Sequence, residues 1–83
     1  MKAKYIKTKD NVIIVFPELL QHKDFRDWQP ISAGFISIGI KTVDGYPETD
    51  CTCYGESISL DLKADEEVDT ALARKQILGY GFF

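Results

Sequence analysis

The stretch Ser57–Gly81, SISLDLKADEEVDTALARKQILGYG, decides the fold because its hydrophobic period changes midway. Ile58, Leu60 and Leu62 alternate with Ser59, Asp61 and Lys63, the period of a strand with one buried face. After Ala64-Asp65, the residues Val68, Ala71, Leu72 and Leu78 recur at helical spacing. Asp65 suits an N-cap, Glu66 and Glu67 complement the helix dipole, Arg74 and Lys75 fall in the last turns, and Gly79 suits the residue just past the end. These signals predict a helix over about Glu66–Leu78. A strand leading straight into an amphipathic helix defines a small α+β domain.

Upstream, Ile31–Val43 reads as one long strand, with Ile36, Ile38 and Ile40 on one face and Phe35, Ser37 and Gly39 on the other. Asp44-Gly45 has the form of a two-residue hairpin turn, but Pro47 argues for a wider loop, over about Asp44–Asp50. Cys51–Leu62 then forms the last strand, interrupted at Gly55. A bulge there puts Cys51 and Cys53 on the face of Ile58 and Leu60; without one they share the face of Ser57 and Ser59. Ala3–Thr8 is a weaker strand, and Lys9-Asp10-Asn11 a turn. Val12–Phe16 is apolar at every position, which predicts a central strand covered on both faces and ended by Pro17. Glu18–Pro30 has no clean period, and Leu19, Leu20, Phe25 and Trp28 are expected to cover the face that the helix leaves bare. The expected fold is α+β: a mainly antiparallel sheet of about four strands with one C-terminal helix packed on one face, residues 1–83 forming a single domain.

Eighty-three residues suffice for one core and not for two. Hydrophobic content of 45% and charged content of 28% are those of an ordinary globular chain and argue against disorder. The longest aliphatic or aromatic run, Val12–Phe16, is far short of the roughly 20 residues that span a bilayer. It is also too short for a signal peptide core, so the expected location is cytoplasmic. The net charge of −3 is unevenly spread: residues 1–41 sum to +3 and residues 42–83 to −6. Acidic helix capping accounts for part of this; the remainder fits attraction between the halves, within the fold or in a head-to-tail self-contact.

Few residues invite chemistry. Cys51 and Cys53 supply two thiols, whereas a closed zinc site needs four ligands. His22 as a third and Asp50 as a fourth make a loose set with no established spacing. The pair also lacks the two-residue spacing of a redox motif, and reduced, partly buried structural thiols are the simpler reading. His22 is the lone histidine, flanked by Lys23, Asp24 and Asp27, with no recognised nucleophile motif to serve. Asp24/Asp27 and Glu66/Glu67/Asp69 pair carboxylates, but so short a chain offers little room for a water-excluding cleft, and the second group is better read as a helix start. No phosphate-binding glycine loop is present. Lysines 2, 4, 7 and 9 with Tyr5, Phe25 and Trp28 raise a nucleic-acid reading, which alternation weakens, since Lys2 and Lys4 face with Ile6 while Lys7 and Lys9 face with Tyr5. The acidic total opposes it as well.

The tail Tyr80-Gly81-Phe82-Phe83 is costly to leave in water and is expected to dock, on this domain or on a partner. The functional expectation is therefore an interaction or regulatory module without catalytic activity, cofactor or metal. Its contact surface would be formed by Phe25, Trp28, Tyr80, Phe82 and Phe83, residue types that anchor interfaces. Its partner would be another protein or a second copy, rather than nucleic acid or a membrane. The alternatives are a metal- or thiol-dependent protein using Cys51, Cys53 and His22, and single-stranded nucleic-acid binding.

Overall fold

The computed structural model describes residues 1–79. The strands are β1 (Lys2–Thr8), β2 (Ile13–Phe16), β3 (Pro30–Val43), β4 (Tyr46–Tyr54), β5 (Glu56–Ser57) and β6 (Leu62–Lys63); a 3₁₀ helix spans His22–Trp28 and α1 spans Glu66–Leu78. Four strands form one antiparallel sheet in the order β2-β1-β3-β4, and β5 and β6 form a separate hairpin. This is the expected α+β fold, with the C-terminal helix packed on the sheet.

Helix α1 begins and ends where its end signals place it. The Asp65 carboxylate accepts from Val68 N–H, and Gly79 closes the helix in the left-handed conformation with its N–H on Arg74 C=O. The face it buries is turned from the expected apolar stripe. Asp69, Thr70 and Ala73 are buried while Val68 is half exposed, because the sheet beneath presents Lys7, Tyr5, Ser32 and Cys53 and needs polar partners.

Three sequence expectations are corrected. Strand β2 lies at a sheet edge, not the centre. Both its faces are covered as expected, by layers above and below, but the central positions belong to β1 and β3, which carry ladder bonds on both sides. The expected loop at Asp44–Asp50 is a tight hairpin with Val43 opposite Tyr46 and Thr42 opposite Pro47. Asp44 (φ 52°) and Gly45 (φ 82°) take the positive dihedrals such a turn requires. Pro47 is accommodated because β4 is an edge strand and its missing N–H interrupts no ladder bond at a non-hydrogen-bonded pair.

The third correction concerns Cys51–Leu62. Strand β4 ends at Tyr54, and Ile58–Asp61 form the loop of the β5–β6 hairpin, with Asp61 N–H on Ile58 C=O and Leu60 N–H on Ser57 Oγ. Neither expected pairing of faces holds: Cys51 and Cys53 join the core under α1, whereas Leu60 and Leu62 pack on the opposite cluster of Ile6, Phe16 and Ala33. Ile58 is 88% exposed. The chain turns at Gly55 (φ 80°) and crosses Gly34 of β3, where a Cβ would collide with Tyr54 O and stand 3.2 Å from Ala64 Cβ. Only glycine permits this approach.

Candidate functional site

Two constellations of polar and aromatic groups stand on opposite faces of the sheet. The first is buried under α1. Alternation along β1 aims Tyr5 and Lys7 at the helix, and register places Ser32 opposite Lys7. There Asp69 Oδ1 meets Lys7 Nζ at 2.7 Å, while Oδ2 accepts from Tyr5 Oη (2.6 Å), Ser32 Oγ (2.7 Å) and Asp65 N–H (3.1 Å). Burial pushes the Asp69 carboxyl up, but these donors outweigh it and hold the group below its ordinary value. Burial and the neighbouring Asp69 charge push the Tyr5 phenol well up, so it stays a donor. Thr70 Oγ1 accepts from Cys53 N–H at 2.8 Å, at the outer edge of β4. Gln76 does the same at the other edge, accepting from Ile13 N–H (2.8 Å) and donating to Asn11 C=O (2.6 Å).

Sequence reasoning read Asp69 as part of an acidic helix start and missed this network. A signal was present: Lys7 alternates in phase with Tyr5, and Asp69 lies three and four residues before Leu72 and Ala73, on the face that packs.

The second constellation is a row of rings across the outer face. Phe25 stacks on Phe16 (4.1 Å between centroids), Phe16 meets the His22 ring edge-on (5.5 Å), His22 meets Phe35 edge-on (5.9 Å), and Phe35 stacks with Tyr54 (6.0 Å). His22 is buried, not solvated as a loop histidine would be, and its Nε2 lies 2.8 Å from Gly34 O. Burial lowers its pKa, assisted by the Lys4 charge, so the imidazole is neutral at neutral pH. Beside it opens a cleft of about 450 Å³ between Lys2, Lys4, Phe35, Tyr54 and the Glu56–Ile58 segment.

The expected contact residues are dispersed. Phe25 is half-buried on Phe16, Trp28 is 58% exposed, and Tyr80, Phe82 and Phe83 lie outside the described residues. Of the four residues expected to cover the outer face, Phe25 does so, joined by His22, Leu60 and Leu62, while Leu19, Leu20 and Trp28 are exposed. Cys51 and Cys53 are free thiols buried under α1, remote from the ring row that holds His22. Burial, with the Asp69 charge, pushes Cys53 up to about 12, and burial raises Cys51 as well. Among the described residues, no three His, Cys, Asp or Glu side chains gather as a metal set, and no helix is long and apolar enough to cross a membrane. Of the stacking residues considered for nucleic acid, Tyr5 is fully buried and Phe25 is held in the ring row, while Lys7 is spent on Asp69. Comparison with family models, with curated proteins and with solved structures finds no match to this chain.

Proposed function

We infer that this chain is a small non-catalytic protein-interaction module and that the β3–β4 arm is its contact element. One observation carries the reading. Pairing between β1 and β3 ends at Lys2–Ser37, with two further bonds at Met1, whose C=O accepts from Ile38 N–H and whose ammonium donates to Ile38 C=O, so among the described residues Gly39–Asp50 continues as a two-stranded arm. On it Ile40 and Tyr46 are 77% and 76% exposed and Val43 is 40% exposed. Pairing of two strands supplies little stability of its own in water, and apolar side chains that project from such a ribbon favour a partner surface. Trp28 offers a further exposed anchor.

The placement of reactive groups supports the absence of catalysis. Lys7, Ser32, Tyr5 and Asp69 satisfy one another beneath α1, both thiols are held protonated, and His22 is tied to backbone between two phenylalanine rings. Each such group is committed to packing, with little freedom to meet a substrate.

A photo-crosslinking amino acid at position 40 or 46, with exposed position 23 as control, tests the reading in producing cells. Discrete adducts at 40 and 46 and none at 23 are expected, either of dimer size or of a second protein. Adducts equal at all three positions, or absent from the arm, would remove the arm from the account.

A further inference from the structure

The outer-face cleft has a composition that protein docking by the arm does not use. Strand register sets Lys4, Phe35 and Tyr54 side by side across β1, β3 and β4, with Lys2 in the next row. Phe35 and Tyr54 stand at 29° to each other, and the chain turning at Gly55 (φ 80°) raises Glu56–Ile58 beside them. The volume of about 450 Å³ falls in the range of small-molecule sites. Aromatic rings and ammonium groups both line the cleft, and Lys2 Nζ lies over the Phe35 ring.

The charges there oppose those of the chain. The lining holds Lys2 and Lys4 against the single carboxylate Glu56, with His22 neutral, whereas the chain carries −3. Both ammoniums have capacity to spare. Lys4 Nζ spends one of its three N–H donors on Leu20 C=O (2.8 Å). Lys2 Nζ lies 3.6 Å from Glu18 in a solvent-exposed pair and 4.8 Å from the Phe35 ring centroid. Exposed pairs are weak, so this ammonium is easily redirected. It now occupies the ring face that a planar ligand would take.

We propose that this cleft binds a nucleobase bearing one phosphate, the base stacked on Phe35 and Tyr54 and the phosphate held by Lys2 and Lys4. Glu56 gives the base a direction: a carboxylate accepts from an exocyclic amino group, which adenine, cytosine and guanine carry and uracil lacks. One phosphate also suits the electrostatics. Two lysines neutralise a single phosphate, while an acidic chain repels the extended polyanion that a nucleic-acid track would present.

Titration of the ¹⁵N-labelled protein with AMP, UMP, adenosine and inorganic phosphate, each to millimolar concentration, is the test. Saturable shifts at residues 2, 4, 35, 54 and 56 are expected with AMP, with affinity roughly tenfold lower for adenosine and for phosphate, and lower for UMP than for AMP. Phe35→Ala should weaken AMP roughly ten- to hundredfold, the usual loss for one stacking ring. Lys4→Gln, a milder change whose spectrum reports intact folding, should weaken AMP and leave adenosine unchanged. A ten-residue deoxyadenosine oligomer distinguishes the source. Binding per site equal to AMP marks a free nucleotide; tighter binding with a steep salt dependence marks a nucleotide within a strand. No saturable shift with any nucleotide, or AMP affinity unaltered in Lys4→Gln, would overturn the proposal. Ile40→Thr should leave AMP binding intact, so failure here and failure of the arm reading are separately visible.

Discussion

Beneath α1 the sheet meets its covering layer through a carboxylate, an ammonium and hydroxyls; on the opposite face it meets the 3₁₀ helix and the β5–β6 loop through rings and leucines. The inner face is directional. Asp69 is satisfied only when Lys7, Tyr5 and Ser32 all point at it, which fixes the roll of the helix on the sheet. The outer face is adaptable by comparison, since ring contacts tolerate small shifts. Its cover is also incomplete, which is why the cleft lies on that side. The contrast shows how a small domain can devote its few polar contacts to specifying one layer while the other keeps an open cleft.

The largest effect should come from breaking the inner network. Asp69→Ala leaves the Lys7 ammonium buried without its partner and should cost about 3–5 kcal/mol, enough to unfold a marginal domain, as read from urea denaturation. The double change Lys7→Met with Asp69→Leu should recover much of that loss. A double mutant no more stable than Asp69→Ala would show that directionality, not charge burial, is what the face needs.

Two glycines of the same strand sharpen the comparison next. Gly34→Ala forces a Cβ against the Tyr54 carbonyl and should cost about 1–3 kcal/mol. Gly39→Ala, in the arm with nothing within 4 Å, should be neutral or slightly stabilising. Equal effects in thermal melts would contradict the close crossing that shapes the cleft.

The faces also differ in pH response. His22 has a folded pKa below its ordinary 6.5, so the unfolded chain takes up a proton first; stability is complete above about pH 6.5 and declines as pH falls from there to the folded value. It is the lone histidine, so His22→Gln should abolish that first decline. Asp69 and Asp50 are held below the ordinary carboxylate value, Asp50 by Arg74 and Lys41 against the effect of burial. Their contribution is present above about pH 4 and lost as pH falls below it. Urea midpoints measured from pH 8 to pH 3 should therefore fall in two steps, the first from the outer face. The smallest effect is expected at Leu19→Ser, an exposed position in neither cluster, where the melting curve should change by less than about 0.5 kcal/mol.

What the sequence disclosed and what it hid divide along the same line. The bounds of α1 were legible because capping residues act locally, and the two faces of β3 were legible because alternation is local too. The position of β2 was not, since covered faces report the layers above and below a strand and not its neighbours in the sheet. Ile58, Leu60 and Leu62 imitated a strand because three alternate apolar residues also fit a short loop whose leucines turn inward. The inner network escaped notice because charged residues at a helix start are ordinarily solvated, and only its three- and four-residue spacing to Leu72 and Ala73 sets Asp69 apart from Glu66 and Glu67. The cleft was hidden for a different reason: Lys4, Phe35 and Tyr54 lie far apart in sequence and meet only through strand register.

The two thiols under α1 have a practical consequence. With Cys51 and Cys53 protonated and shielded, an alkylating reagent reaches them only in molecules whose helix has lifted. Their labelling rate is thus a native clock for how often that layer opens, readable by mass spectrometry with no engineered probe.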